Sequence, residues 1–189
     1  MAAMFCACGP RILRPGEERV VEASGRKRDW VTSEKPVFRD DDTWFFRGQA
    51  MEVADLTLGL RQAEADAKKR IVGSIVEQVA SEFSEYALGA NMSEDDKSVF
   101  VSDGISWATD GISIAGAAPA KAYWEKIETG RSYGVSNSYD VYVLVGLPAA
   151  DYEEARARAI RGIEERAHAA ANRRAEEAAK RLRERVEQE

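Results

Sequence analysis

The chain has 189 residues, of which 44% are hydrophobic and 32% are charged. That length is enough for one domain with its own core and too short for two of ordinary size. Lys and Arg number 27 against 33 Asp and Glu, so the net charge is −6, the wrong sign for a protein that mainly binds nucleic-acid phosphates. The single histidine, His168, and the two cysteines, Cys6 and Cys8, leave a Cys/His zinc site short of ligands. We therefore expect no metal or cofactor and no nucleic-acid partner.

The first eight residues are uncharged and largely apolar, and a charged stretch with Gly and Pro follows them. Their length is at the lower limit of the roughly 7 to 15 apolar residues of a secretory signal, and no basic residue precedes them. The run Phe5-Cys6-Ala7-Cys8 resembles a degenerate bacterial lipobox. In that reading residues 1–8 are a residual lipoprotein signal and Cys8 carries the lipid. The alternative is that both cysteines are ordinary thiols in a disordered tail.

Residues 9–28 are predicted to be a flexible tether because they carry charges, Gly and Pro without an apolar period. Twenty coil residues would span about 25 Å, which holds a domain just off a membrane surface. Within this tether Arg26-Lys27-Arg28 could contact anionic headgroups, at about 1 kcal/mol per basic residue. The alternative for these three residues is a solvated linker.

A strand and a long helix are the first clear elements of the body. Thr43 to Met51 reads as a strand, whose even face runs from large to small in the order Trp44, Phe46, Gly48, Ala50. From Asp55 to near Gly89 apolar residues recur every three or four positions, which predicts a helix of about 30 residues. The small end of the strand is expected to lie against Ala63 and Ala67. The helical stripe consists of Leu60, Ala63, Ala67, Ile71, Ile75, Val79, Phe83 and Tyr86.

The second half of the chain predicts a hairpin. Ala117 to Glu128 and Tyr139 to Val145 read as strands, with Thr129 to Asn137 as the loop between them. Between the long helix and this hairpin, Asn91 to Gly116 is expected to hold a short helix and a turn. The expected fold is therefore α+β: a small antiparallel sheet of about three strands packed against a long helix, with an extended C-terminal helix.

The last 40 residues carry ten acidic and ten basic side chains, so their charges cancel. Tyr152, Ala155, Ala159 and Ile163 form a packing stripe at the start of this segment. Beyond it the large apolar residues become rare, and residues 164–189 are predicted to project as a charged helix. Such a rod suits an envelope protein partner or self-association as a coiled coil.

We assign no catalytic or binding role to the other clusters and motifs. Asp40-Asp41-Asp42 and the Glu94-Asp95-Asp96 run are interpreted as solvated turns or caps, and the Gly111–Gly116 segment lacks the Gly-Lys-Ser/Thr of a phosphate loop. His168 is expected at the surface. A stacking platform for bases is set aside in favour of core and hairpin packing for the aromatic side chains Trp44, Phe46, Tyr123, Trp124, Tyr139 and Tyr142.

Several of these ordered features resemble the lipoprotein 20 family of bacterial envelope proteins. The resemblance lies in the Asp29-Trp30-Val31 opening, the aromatic strand ending in Gly48, the helix register Ala63, Ala67, Arg70, and the Tyr142–Val145 strand that leads to the Tyr152–Ala155 helix, and it covers residues 29–163. It implies an exported α+β domain anchored through a lipidated N-terminal cysteine. Related domains occur in a periplasmic flagellar assembly protein.

From these features we expect a non-catalytic, lipid-anchored protein of the bacterial cell envelope, held at the outer membrane and facing the periplasm, that acts as a structural or interaction module. One alternative is a soluble periplasmic domain that assists surface-organelle assembly or regulates cell-wall enzymes. A second is an enzyme or small-ligand protein with a pocket at the aromatic hairpin. A third is a cytosolic coiled-coil adaptor.

Overall fold

The computed structural model describes residues 12–89, 93, 114–169 and 172–188. This part of the chain forms a five-stranded antiparallel sheet in the order β1-β4-β5-β3-β2, with a layer of helices on one face. In chain order the elements are β1 (Glu18–Ala23), α1 (Asp29–Thr32), β2 (Val37–Asp40), β3 (Thr43–Val53), α2 (Leu56–Gly89), β4 (Ala118–Arg131), β5 (Gly134–Pro148), α3 (Ala149–Ala169) and α4 (Arg173–Val186).

The α+β class and the antiparallel sheet against a long helix are confirmed, but the sheet has five strands rather than about three. The two extra strands are the short edge strands β1 and β2. Among the described strands each has one neighbour, β4 for β1 and β3 for β2. All six residues of β1 are exposed and β2 has only four residues, so neither shows the apolar pattern by which the inner strands were recognised.

The segment predicted as a flexible tether differs most from its expectation. Of residues 9–28, the structure describes 12–28, and Glu18–Ala23 within it is β1, hydrogen-bonded to β4 along its length. Folded structure is therefore present from β1 onward, ahead of the expected start at Asp29. The predicted loop over 129–137 is also shorter, because β4 and β5 pair up to Arg131 and Gly134 and leave only a two-residue turn.

One face of the sheet packs against α2 at very short range. A Cβ atom on Gly48 would lie 2.0 Å from the Ala63 carbonyl oxygen and 2.4 Å from the Ala67 nitrogen. This confirms that the small end of β3 meets the alanines of the helix. Phe46, two residues earlier, is fully buried and stacks on Tyr152 of α3, with ring centroids 6.4 Å apart.

The predicted stripe of α2 is its buried face, and it becomes bulkier away from the glycine contact. Six of its residues are at most 1% exposed, and Leu60 and Tyr86 at its two ends are half-buried. The six are Ala63, Ala67, Ile71, Ile75, Val79 and Phe83. The predicted stripe of α3 is buried as well.

The end of the chain folds back instead of projecting. A new helix, α4, starts after Asn172, whose Oδ1 accepts a hydrogen bond from the Ala175 amide at 3.1 Å. It packs on α2 and α3 and buries Leu182. The remaining contacts are made by alanines, which allow close approach of two helices although a sequence pattern counts them as weakly apolar. The buried alanines are Ala175, Ala178 and Ala179.

A charged cluster joins two members of the helix layer. Arg156 of α3 is only 5% exposed, and its Nη2 donates to both carboxylate oxygens of Glu82 on α2 at 2.8 Å. Its Nη1 donates to Glu153 at 3.0 Å. A buried guanidinium is stable only when its charge is paired in this way, so this cluster fixes the position of α3 on α2.

Candidate functional site: a basic pocket on the uncovered face

A pocket of about 650 Å³ opens at one end of the sheet, on the side opposite the helix layer. Its walls are a segment that follows β1 and one side chain at the start of β4. The lining residues are Arg26, Lys27, Arg28, Asp29, Trp30 and Lys121. Four of these six carry a positive charge and one a negative charge. The pocket is therefore strongly basic within a chain of net charge −6.

The segment of residues 24–33, called the crossing segment below, is held against the sheet by Arg47 of β3. The Arg47 Nη1 donates to three of its carbonyl oxygens, those of Trp30 at 2.9 Å, Val31 at 2.7 Å and Ser33 at 2.7 Å. Charged donors make the stronger kind of hydrogen bond. Val31, within the crossing segment, is buried with 4% exposure. The face of β3 opposite Phe46 and Gly48 thus carries the arginine that anchors one pocket wall.

At the other end of the crossing segment, Ser24 continues the sheet pairing past β1. The Ser24 amide donates to the Trp124 carbonyl at 3.0 Å, and the Trp124 amide donates to the Ser24 Oγ at 3.1 Å. The basic run is therefore fixed on both sides, by Ser24 before it and by Arg47 after it. It is a wall of the domain rather than part of a linker.

Lys27 lies in a cluster of aromatic rings and one carboxylate on β4 and β5. Its Nζ is 3.0 Å from Glu125 Oε2 and lies 5.9 Å and 5.8 Å from the ring centroids of Tyr123 and Tyr142. The Tyr123 hydroxyl donates to Glu125 Oε1 at 2.8 Å. The positive charge of Lys27 is thus already balanced by Glu125.

These surroundings shift the ionisation of both tyrosines. Burial, followed by the hydrogen bond to Glu125, raises the pKa of Tyr123 to about 12. Burial also raises the pKa of Tyr142, an effect that the charge of Lys27 opposes. Both phenols are neutral at ordinary pH, so they act as flat walls and hydrogen-bond donors and not as bases.

The remaining cations of the pocket are available to a ligand. Within the described ranges, Arg26, Arg28 and Lys121 take part in no ion pair or side-chain hydrogen bond, and Asp29 is the only carboxylate in the pocket wall. Exposed arginines and lysines that converge on one cavity favour phosphate or carboxylate ligands. Trp30, half-buried beside them, adds an apolar surface.

Cys8, the predicted lipidation site, lies outside the described residues. The Glu94–Asp96 run and the first half of the Gly111–Gly116 segment also lie outside them. Asp41 and Asp42 form the tight turn between β2 and β3, as expected for a solvated turn. His168 is at the surface, with its Nδ1 3.2 Å from Glu176 Oε1.

The aromatic side chains are used for packing. Trp44 contacts the Tyr152 ring under α3 at a centroid distance of 5.4 Å, and Trp124 meets Tyr139 edge-on at 5.9 Å. Tyr123 and Tyr142 lie side by side on the uncovered face, 6.4 Å apart. The interpretation as core and hairpin packing is confirmed, so these rings are not a free stacking platform.

The described residues hold neither a candidate metal-binding cluster nor a candidate membrane-spanning helix. No group of three or more Asp, Glu, His or Cys side chains in ranges 12–89, 114–169 and 172–188 is arranged to hold a metal ion. Among the same residues, none of the helices combines the length and the apolar character needed to span a bilayer.

The sequence pointed to part of the pocket and missed the rest. Arg26-Lys27-Arg28 stood out as a basic run, but Lys121 lies 93 residues later than Arg28 by their numbers and reaches the pocket only through the pairing of β1 with β4. Arg47 lies in a strand of mixed apolar and polar residues and gave no separate signal. A signal that could have suggested the site is Trp30, two residues after the basic run.

Comparisons with protein-family models, with curated proteins and with solved structures found no match to this chain.

Proposed function

We propose that this protein is a non-catalytic, lipid-anchored interaction module of the bacterial cell envelope that binds an anionic partner in the basic pocket. The observation that carries the proposal is the convergence of Arg26, Arg28 and Lys121, without ion pairs among the described residues, on one cavity of about 650 Å³. A rigid sheet that presents unbalanced cations is suited to binding. Among the described residues, Asp29 is the single carboxylate of the pocket wall.

The anchoring part of the proposal is supported by the lipobox-like context of Cys8 and by the resemblance to the lipoprotein 20 family. The outer membrane, with the domain facing the periplasm, is the proposed location. The alternative of a soluble periplasmic domain that assists flagellar assembly or cell-wall enzymes shares the binding pocket and differs only in the anchor. A single experiment on Cys8 separates the two.

The place of partner binding differs from the one suggested by the sequence. The apolar side of α4 is buried against α2 and α3, so the terminal helix offers only its charged outer side. Three of its basic side chains are paired with acidic neighbours: Lys180 with Glu184, Arg181 with Glu177 and Arg183 with Glu164. Both observations favour the pocket over the terminal helix as the contact with an envelope partner.

The pocket is tested by calorimetric titration of the full chain with inorganic pyrophosphate, a compact polyanion. Arg26→Ser and Lys121→Ser should each weaken binding about fivefold, the effect of about 1 kcal/mol per basic residue. Arg181→Ser is the matched control, because Arg181 is paired with Glu177 at 2.5 Å on α4, away from the pocket. Equal losses in all three variants would show general charge attraction and contradict the proposal.

The anchor is tested by metabolic labelling with a palmitate analogue of the protein expressed from its native locus. Cys8→Ser should abolish the label, whereas Cys6→Ser, the control, should keep it. A label that survives in Cys8→Ser, or no label in the unmodified protein, removes the anchor. The second result leaves the soluble periplasmic module as the function.

A further inference from the structure

Exposed apolar side chains gather at the end of the sheet that is opposite the pocket. Tyr133 in the β4–β5 turn is 92% exposed, and Val135 next to it is 52% exposed. Ile12, at the start of the described chain, is 89% exposed. These three residues are called the sheet tip below. Single exposed apolar side chains are ordinary on a protein surface, whereas a cluster of them marks a candidate contact with a protein or a membrane.

Backbone contacts at Gly130 bring Ile12 to the hairpin. The Gly16 amide donates to the Gly130 carbonyl and the Gly130 amide donates to the Glu17 carbonyl, both at 2.9 Å. A Cβ on Gly130 would lie 2.1 Å from the Arg14 carbonyl oxygen and 3.1 Å from the Leu13 carbonyl carbon. Leu13 is buried at this place, and Ile12, the residue before it, is exposed beside the hairpin.

The covalent chain then limits how far the tip can lie from Cys8. Four peptide units separate Cys8 from Ile12, and at 3.8 Å each they span at most about 15 Å. The headgroup layer of a bilayer is about 6 Å thick on each side. A lipid on Cys8 would therefore hold Ile12, and with it the sheet tip, within about 15 Å of the lipidated cysteine, which the predicted tether of twenty residues would not.

We propose that the sheet tip inserts into the headgroup layer of an anionic bilayer, so that the domain stands on the membrane with its basic pocket pointing away. This inference rests on the proposed anchor at Cys8. Tyrosine prefers the membrane interface because its ring is apolar and its hydroxyl is polar. Arg14 and Arg131 flank the tip and suit anionic headgroups, while the Glu17 carboxylate accepts a hydrogen bond from the Arg14 amide at 3.1 Å.

This orientation assigns the pocket to a partner rather than to lipid. Lys121 and Arg131 are ten residues apart on β4, which corresponds to roughly 33 Å along the strand. With the tip in the headgroups, the pocket lies about that far above the membrane surface. Its ligand is then an anionic envelope component and not the headgroups of the anchoring membrane.

The insertion is tested on protein whose Cys8 is coupled chemically to a maleimide phospholipid in the Cys6→Ser background. The vesicles contain phosphatidylethanolamine and phosphatidylglycerol, with a nitroxide-labelled lipid that broadens nearby fluorine signals. Fluorotyrosine is placed at position 133 or, as the control, at position 142. The signal from position 133 should broaden at least about fivefold more, because the two sites differ by roughly 25 Å along β5. Equal broadening, or none at 133, would overturn the inference.

A second measurement uses protein whose Cys8 is coupled chemically to a single acyl chain, because one chain binds a membrane only weakly and reversibly. Tyr133→Ser combined with Val135→Ser should reduce partition into the same vesicles about tenfold, because interfacial apolar area is lost. Val20→Ser combined with Val21→Ser, on the exposed edge of β1, is the matched control and should change it less than about twofold. Equal losses in the two double variants would contradict insertion of the tip.

Failure of the two proposals can be told apart. Loss of the acyl label in cells concerns only the anchor, because the vesicle experiments couple the lipid to Cys8 chemically. A labelled Cys8 with no broadening at position 133 keeps the anchor and overturns the orientation.

Discussion

The two faces of the sheet are covered through different kinds of contact. On the face covered by α2 and α3, the contacts are apolar and close, and the Gly48 backbone touches the α2 backbone directly. On the opposite face, a single crossing segment is held by the guanidinium of Arg47 and leaves charged side chains exposed beside it. The first face carries the stability of the fold, and the second keeps polar groups available for binding.

This difference predicts how the molecule responds to substitution. Changes on the covered face should unfold the protein, because close packing tolerates no extra atoms. Changes in the pocket should leave stability intact and alter binding. The expected effects on stability are therefore largest on the face that controls folding and smallest on the face that controls ionisation and binding.

The largest effect is expected for Gly48→Ala. The added methyl group would overlap the Ala63 carbonyl and the Ala67 amide, so the free energy of unfolding should fall by about 3 kcal/mol. Gly73→Ala is the matched control in α2, since a Cβ there meets nothing within 4 Å. It should stabilise by about 0.5–1 kcal/mol. Urea denaturation measures both, and equal destabilisation by the two variants would contradict the close approach.

The next effect is expected for Arg156→Met in the helix layer. Removal of the guanidinium leaves the Glu82 carboxylate, 20% exposed, without its charged partner, and the free energy of unfolding should fall by about 2–3 kcal/mol. The double variant with Glu82→Leu should recover most of that loss. Thermal unfolding measures the cycle, and strictly additive losses would show that the two side chains do not act as a pair.

A smaller effect is expected for Arg47→Met on the uncovered face. Three carbonyl oxygens of the crossing segment lose their donor, so stability should fall by about 2 kcal/mol and the amides of residues 26–33 should exchange faster. Arg70→Met, which removes an exposed pair with Asp66, is the control. Exchange that becomes faster uniformly over the whole molecule, with no additional increase in residues 26–33, would contradict the anchoring role.

The smallest effect concerns pH and Tyr123. Because its pKa is raised from 10.0 to about 12 in the folded protein, the folded state keeps the phenol proton where the unfolded chain loses it. The contribution of Tyr123 to stability is complete below pH 10 and is lost as the pH rises toward 12. Tyr123→Phe should therefore flatten the fall in the free energy of unfolding across that range. An unchanged pH profile would contradict the buried hydrogen bond to Glu125.

The features that the sequence predicted are those with strong apolar periodicity. The α2 stripe, the small end of β3 at Gly48 and the β4–β5 hairpin were all found, because side-chain size and spacing specify them directly. The edge strand β1 was not, because a strand with six exposed residues has no buried face to give it a period. The return of α4 was missed because alanine packing depends on the partner helix, which a linear pattern does not contain.

The candidate site was predictable only in part, for a related reason. Arg26-Lys27-Arg28 is contiguous and visible, whereas Lys121 and Arg47 join it through strand pairing across long stretches of sequence. Such convergence is a property of sheet order. The sequence therefore left two interpretations of the basic run open, contact with anionic headgroups or a solvated linker, and neither of them is a pocket wall.

The central claim is that the basic pocket is the binding site of this molecule, and backbone amide shifts during titration with inorganic pyrophosphate test it most directly. The account predicts saturable shifts in residues 26–30 and at Lys121, with no change in the Arg173–Val186 helix. Shifts of similar size along that terminal helix, or no saturable shifts at Lys121, would contradict it.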